Sequence, residues 1–498
     1  MEDDSKHNKN VSTRSQLYWN TLLKIPGQIV SFGISIFVAR ILVPNDFGIM
    51  GIAMMLIGYT NLFTDFGFGE AIIQKRIENK RTLNSIFTMN LAVSLLLAAL
   101  FFLSSGYIAG FFKSPECKNV IKVLSAVFVV TSFSAVPSAM LRRDMNFRTL
   151  SLISLTSSLL MSFITLLLAF NSLGYWALVF GQLIPSLLMT AVLCYKARWV
   201  PAVAYDHSAM KSLFNFGIWN FTKSQLGFIA QHTDKFIIGR WFGTTSLGFY
   251  DKAMNLATMP ANSFAMNINS VMFSSFSTNK KDKYLLQTHF KKGLSLISFI
   301  NFPLYIGLIV IAPYFVYSLL GDNWSPMILP FQVILVGFIV KTFGGLLASL
   351  NVGIGNYKKH TIRFSIALTV FIFSCFVLLT LNIAGIALSF LIFCIVEMYM
   401  LMDLAIKSIG LLWKDVVSAI YPGLAASALM LIVTSFISHY LLLDYSITNM
   451  LIITIAGTLS YCLHVLFDKS TFTQEFKELM MRDIKNFLSK IKRLSVES

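Results

Sequence analysis

Runs of about twenty apolar residues, the length that carries a helix across a hydrocarbon core, recur fourteen times along this chain. They fall at 17–40, 47–70, 83–112, 119–141, 148–170 and 173–195, then at 212–240, 247–276, 288–319, 326–350, 361–381 and 384–406, and last at 415–440 and 446–467. A backbone surrounded by lipid has to satisfy its N–H and C=O groups within its own segment. Such runs therefore predict an all-α, polytopic membrane protein of about 14 transmembrane helices. With 56% hydrophobic and only 13% charged residues, the 498-residue chain also carries more apolar surface than a soluble protein of this length buries.

The net charge of +17 would suit a nucleic-acid partner, but the placement of the cations argues against one. Thirty of the forty Lys and Arg residues lie at the N-terminus, after even-numbered segments, or at the C-terminus, as with Lys75, Arg76, Lys80 and Arg81, or Arg142, Arg143 and Arg148. The opposite turns carry six: Arg40, Lys113, Lys118, Lys122, Arg240 and Lys252. This is the positive-inside alternation, and it places both termini in the cytoplasm. The first sixteen residues are polar and no small-residue cleavage site follows segment 1, so no cleaved signal peptide is expected. Four of the five cysteines fall in apolar segments and only Cys117 in an outer turn, which gives no disulfide framework.

A second pattern organises the segments. Trp19-Asn20 returns as Trp219-Asn220, and Gly27, Ile29, Arg40, Gly48, Ala53 and Met54 return 200 residues later as Gly227, Ile229, Arg240, Gly248, Ala253 and Met254. Chance would give about two identities in such a window. The offset spans six helices, so the repeats are parallel, and internal repeats of this kind are a transporter pattern. The expected organisation is an N-lobe at 1–207 (helices 1–6), a C-lobe at 208–411 (helices 7–12), an added pair at 412–470 (helices 13–14), and an amphipathic basic cytoplasmic tail at 471–498. The tail is too charged to span and suits the anionic inner leaflet. Prolines at 26, 137, 185, 260, 303, 313 and 422 interrupt helices, as membrane segments tolerate.

No phosphate-binding GxxxxGK[ST] loop, HExxH, GxSxG or calcium-loop motif occurs, and the seven histidines are scattered, so neither an enzyme nor a cofactor is indicated. The informative exceptions are ionisable residues within apolar segments, each costing a few kcal/mol in lipid unless it faces protein or water. Lys24, Lys223, Lys235 and Lys341, with Arg40 and Arg240 at outer helix ends, are candidates to receive an anionic group such as a diphosphate. Asp65, Glu70, Asp234 and Glu397 are candidates for ion coupling, and Asp251 and Asp403 complete the acidic set. Pairing is the alternative: Lys24 with Asp65, Lys235 with Asp251, Lys341 with Glu397. The repeat sorts them further, since Arg40 and Arg240 agree between halves and suggest architecture. Lys24, Asp65 and Asp234 face Ser224, Ala265 and Ile34 and suggest an asymmetric site.

Several stretches resemble a known family. Ala39-Arg40-Ile41-Leu42, Phe47-Gly48 and Asp65-Phe66-Gly67-Phe68-Gly69-Glu70-Ala71-Ile72-Ile73-Gln74-Lys75 are similar to bacterial polysaccharide-repeat flippases, most closely the colanic-acid exporter type. Phe216-Gly217-Ile218-Trp219, Gly248-Phe249-Tyr250, Met259-Pro260 and Leu320-Gly321-Asp322-Asn323-Trp324 before Pro330 extend the resemblance over about residues 11–440. It implies the fold of the multidrug and oligosaccharidyl-lipid exporters, two lobes around a cavity that opens to each side in turn. It also implies an undecaprenyl-diphosphate-linked oligosaccharide as substrate, moved to the outer leaflet of the bacterial inner membrane for surface polysaccharide or lipopolysaccharide synthesis. Membrane lipids, a polysaccharide polymerase and glycosyltransferases are the implied partners. A cation-coupled multidrug exporter of the same fold is the alternative, and it predicts a cavity of carboxylates and aromatics. A scaffold that recruits polymerases through its tail is the third reading, though it has no need of buried charge.

Overall fold

The computed structural model describes residues 26–65, 68–261, 266–440 and 444–470, and beyond them 472–474 and 477–478. Among these lie sixteen α-helices up to residue 467, further helical residues at 472–474 and 477–478, and no strand. The helices are α1 (Pro26–Ile41), α2 (Pro44–Asp65), α3 (Phe68–Gln74), α4 (Lys80–Phe111), α5 (Glu116–Arg143), α6 (Phe147–Phe170), α7 (Tyr175–Ala197) and α8 (His207–Trp241). They continue as α9 (Gly243–Pro260), α10 (Met266–Thr278), α11 (Lys283–Phe315), α12 (Ile328–Gly353), α13 (Tyr357–Val377), α14 (Asn382–Ile409), α15 (Trp413–Tyr440) and α16 (Ile447–Phe467). Ten helical stretches are long and apolar enough to cross a membrane, and the chain is a multi-pass membrane protein. Each apolar segment of the sequence contains a helix. In 47–70 and 247–276 the described helices are α2 with α3 and α9 with α10, and residues 66–67 and 262–265 lie outside the described residues. The two segments are equivalent positions of the 200-residue repeat.

Short polar turns set the helix ends. Asn79, Asn146, Asp282 and Ser446 each accept a hydrogen bond from a backbone N–H of the first turn that follows, which satisfies donors that helix starts leave open. Arg142 and Arg143 close α5 and Lys196 lies in the last turn of α7, where cations complement the helix dipole. Past α16, Asp468 accepts hydrogen bonds from Ser470 and Thr473. Burial alone would raise its carboxyl, but these bonds hold it below the usual carboxylate range. The Lys477 ammonium donates to the carbonyls of Leu466 and Asp468, capping the end of α16. Most of the expected tail helix lies outside the described residues.

The chain divides into two compact units, Met1–Asp251 and Lys252–Ser498; α8 belongs with the first. In the second unit, Phe290, Leu294 and Ile297 of α11, Leu346 and Leu350 of α12, Leu401 and Ala405 of α14, and Ala419 of α15 form one buried apolar core. In the first, α3, α4 and α5 meet around Ile72, Phe87 and Val136, while Ile34 and Val38 of α1 pack beside Ala169 and Ala177 at the α6–α7 turn. Glycines mark its closest crossings. A Cβ at Gly181 would lie 1.9 Å from the Thr165 hydroxyl, joining α7 to α6, and one at Gly27 would lie 1.9 Å from Leu155, joining α1 to α6.

One crossing is reciprocal. A Cβ at Gly48 would lie 1.7 Å from the carbonyl oxygen of Thr244, and one at Gly248 would lie 1.8 Å from that of Pro44. Shifted by 200 residues, the first contact becomes the second. The first turns of α2 and α9 thus cross backbone to backbone, as small residues allow in membranes, and Thr244 Oγ1 donates a hydrogen bond to Asn45 Oδ1 beside them.

Candidate functional site

The charges of α8 and α9 meet across a helical hairpin. Gly243, at φ +81°, turns the chain just after α8 ends at Trp241. About 10 Å back along each helix, two bridges of equal span close the hairpin. Tyr250 donates its hydroxyl to Asp234 Oδ2 at 2.8 Å, and the Lys235 ammonium pairs with Asp251 Oδ1. The other Asp234 oxygen accepts the backbone N–H of Lys235 at 2.8 Å. Asp234 is 1% exposed, and the paired side chains of Lys235 and Asp251 are 19% and 15% exposed. Of the three charge pairs expected from sequence, this is the one the structure assembles with both partners described.

The remaining candidates are spread along the chain. Lys24 lies outside the described residues; Lys223 sits within α8 and Asp65 is the last described residue of α2, and both side chains are outside them too. Glu70 stands exposed in the first turn of α3. Arg40 is exposed near the end of α1, while Arg240, its repeat counterpart, stacks its guanidinium 4.9 Å from the Phe111 ring centre. In the second unit the Lys341 ammonium rests over two rings, 4.9 Å from Phe390 and 5.7 Å from Phe338. Glu397, on α14, lies close enough to interact with it electrostatically. Asp403 is held by Arg363 and Lys407, each at 2.9 Å. Replacing Lys407, which is 72% exposed, should change stability by under about 1 kcal/mol. Asp403→Ala should cost clearly more, since it strands the half-buried Arg363; thermal unfolding of the two variants checks the order.

A cavity that sequence reading did not single out lies inside the first unit, between α1, α5, α6 and α7. Its volume is about 760 Å³, within the usual range of small-molecule sites. Three helices each turn a polar stripe into it: Ser134, Ser138 and Arg142 on α5, Ser151, Ser154 and Ser158 on α6, and Gln182, Ser186 and Thr190 on α7. Gln28 of α1 and Ser157 complete the polar lining, which holds no carboxylate and one aromatic ring, Phe147. The signal in the sequence was the spacing. Steps of three or four residues put each set on one helical face, yet serines in membrane helices usually satisfy themselves by bonding their own backbone, so isolated serines pass unnoticed. Ser134, Ser151 and Ser158 do bond their own helices. Pro185 and Met189 fill the gaps between the α7 groups.

A family model described as "Polysaccharide biosynthesis protein" matches residues 37–329, a stretch that includes α2–α11 and every cavity residue except Gln28. The teichuronic acid biosynthesis protein TuaB of Bacillus subtilis (strain 168) is 27% identical over 270 residues, covering 53% of this chain and 56% of that protein. The lipopolysaccharide biosynthesis protein WzxC of Escherichia coli (strain K12) is 26% identical over 318 residues, covering 63% and 64%. The matches span less than two thirds of either relative's length. Among solved structures, the lipid II flippase MurJ in an inward closed conformation superposes with a TM-score of 0.75 at 16% identity, covering 95% of this chain and all of that one. An inward-facing multidrug resistance MATE family transporter of the MOP superfamily gives 0.60 at 16% identity, covering 76% and 93%. At such identities the likeness is one of fold.

Proposed function

We propose that this chain, which belongs to the polysaccharide biosynthesis protein family, is a flippase. It would carry undecaprenyl-diphosphate-linked oligosaccharide repeat units from the inner to the outer leaflet of a bacterial cytoplasmic membrane by alternating access, for surface polysaccharide assembly. Its termini lie on the cytoplasmic side in this reading, as the alternation of Lys and Arg supports. The roles of relatives in teichuronic acid and lipopolysaccharide biosynthesis agree with such a cargo.

The observation that carries the reading is Lys341. An ammonium inside an apolar helix needs a counter-charge or a polarisable face. Here aromatic rings hold it, at 4.9 and 5.7 Å, and a ring face leaves the ammonium's donors directed elsewhere for an anion. A diphosphate supplies that anion. Glu397 then sets the affinity: ionised, it competes with phosphate for the Lys341 charge, and neutralised by a coupling ion it releases Lys341 to the substrate. Lys24 and Lys223 are proposed as further contacts to the diphosphate.

Lys341→Ala should lower surface saccharide at least about tenfold with normal protein abundance, the loss of one charge-assisted contact worth roughly 1.5–3 kcal/mol. Lys341→Arg, which keeps the charge, should retain most of the activity, and Lys24→Ala with Lys223→Ala should match the loss. Wild-type export by Lys341→Ala and by the double variant would refute the cationic mechanism. Drug susceptibility on gene deletion with unchanged surface saccharide would point to the multidrug exporter instead.

A further inference from the structure

The hydroxyl-lined cavity of the first unit takes no part in the mechanism above. We infer that it is a carbohydrate-binding chamber, which receives the saccharide part of the cargo while the diphosphate is held elsewhere. The inference rests on the flippase reading for the identity of the cargo.

The lining excludes the other occupants. A lipid tail would need apolar walls, but eleven of the nineteen lining residues are polar, seven of them serines. A cationic drug would call for carboxylates and several rings, and the cavity has neither. A proton path would need titratable groups, and Arg142 is the one ionisable residue in the wall. A sugar fits, because its hydroxyls both donate and accept, as serine hydroxyls and glutamine amides do. Serines that bond their own helix keep lone pairs for a sugar hydroxyl. Ser154, Ser157 and Ser186, with Gln28 and Gln182, have no side-chain hydrogen bond among the described residues, so their full capacity is open.

The cavity also has a direction. From Arg142 to Ser134 on α5 is about 12 Å, and from Phe147 to Met161 on α6 about 21 Å. It therefore runs as a slot from the helix ends that the basic residues assign to the cytoplasm toward the middle of the bundle. Arg142 stands at its mouth and differs from its neighbour: Arg143 is engaged with the Ile77 carbonyl and with Asp144, whereas Arg142 is exposed and faces the slot. Hydroxyls deep in the slot and one forked donor at the entrance suit an extended saccharide entering from the inner side.

Two measurements in the host test this. Ser154→Leu and Ser186→Leu, which fill the slot, should cut surface saccharide about tenfold or more at unchanged abundance and unfolding temperature, and the corresponding alanine variants severalfold, as expected when a hydroxyl-reading site loses partners. A maleimide should label Ser186→Cys, over the background of the wild-type chain, roughly threefold more slowly in cells that build the lipid-linked saccharide than in cells lacking the first glycosyltransferase, the protection given by two-thirds occupancy. Equal labelling in both strains, or full export by both leucine variants, would show that the slot holds water only and overturn the inference. Failure of the flippase reading looks different: gene deletion would then leave surface saccharide intact.

Discussion

Gly48→Val should leave almost no folded protein, while Gly51→Ala, one turn further along the same helix, should behave as wild type. The contrast comes from what each new Cβ meets. At position 48 it would sit 1.7 Å from the Thr244 carbonyl oxygen and 2.5 Å from its carbon. That neighbour is backbone, which cannot rotate away as a side chain can. Relief requires α2 and α9 to part by roughly 1.5 Å, and a gap of that size forfeits about half or more of the dispersion at each contact. The helices would give up the packing of Ile49, Ile52 and Tyr250, all fully buried. Overpacking of this kind typically costs about 1–3 kcal/mol and occasionally more, and a reciprocal backbone crossing belongs at the upper end. Gly248→Val should fail equally, because its Cβ meets the Pro44 carbonyl at 1.8 Å. At position 51 the nearest atoms are side-chain atoms of Leu247 at 3.6 Å, an ordinary contact, so alanine fits and slightly favours the helix. Fluorescence-detected size exclusion in detergent gives the folded fraction. A monodisperse Gly48→Val with wild-type unfolding temperature would show that the crossing is looser than described.

That crossing was half visible in the sequence. Gly48 and Gly248 are identical between the repeats, but only the backbone shows that each glycine faces the other repeat's position 44. The helices were legible because hydrophobic length is a strong local signal. The charged positions were partly legible: a buried ion needs a partner, and Lys235 with Asp251 followed from that rule. Asp234 breaks the symmetry of the repeat, and its burial against Tyr250 could not be foreseen, because that partner's residue type carries no charge signal. The cavity stayed hidden for a different reason. Its chemistry is distributed over three helices as single hydroxyls, and nothing in a linear chain says which helices face one another.

Lys235→Ala and Asp251→Ala should each destabilise the protein by about 3 kcal/mol or more, while Lys235→Met combined with Asp251→Leu should recover most of that loss. A single substitution removes one partner of a buried pair in a poorly hydrated hairpin, and breaking such a pair typically costs about 3–5 kcal/mol. Both side chains are less than a fifth exposed, so solvent screening recovers little. Replacing both with apolar residues of similar volume removes the desolvation penalty together with the attraction, and such exchanges are often neutral. The coupling in this double-mutant cycle, read from unfolding temperatures in detergent, should therefore be large and favourable; an additive result would mean that the two groups are solvated separately. The same variant then separates the two roles open to Lys235. If it only clasps α8 to α9, the double variant exports saccharide as the wild type does, because the Tyr250–Asp234 bridge still closes the hairpin. If the ammonium also exchanges Asp251 for a phosphate during transport, the variant folds normally and fails to export, and Lys235→Arg with Asp251 intact keeps activity. The second outcome would give the first unit a cation that changes partners during the cycle, as Lys341 is proposed to do in the second.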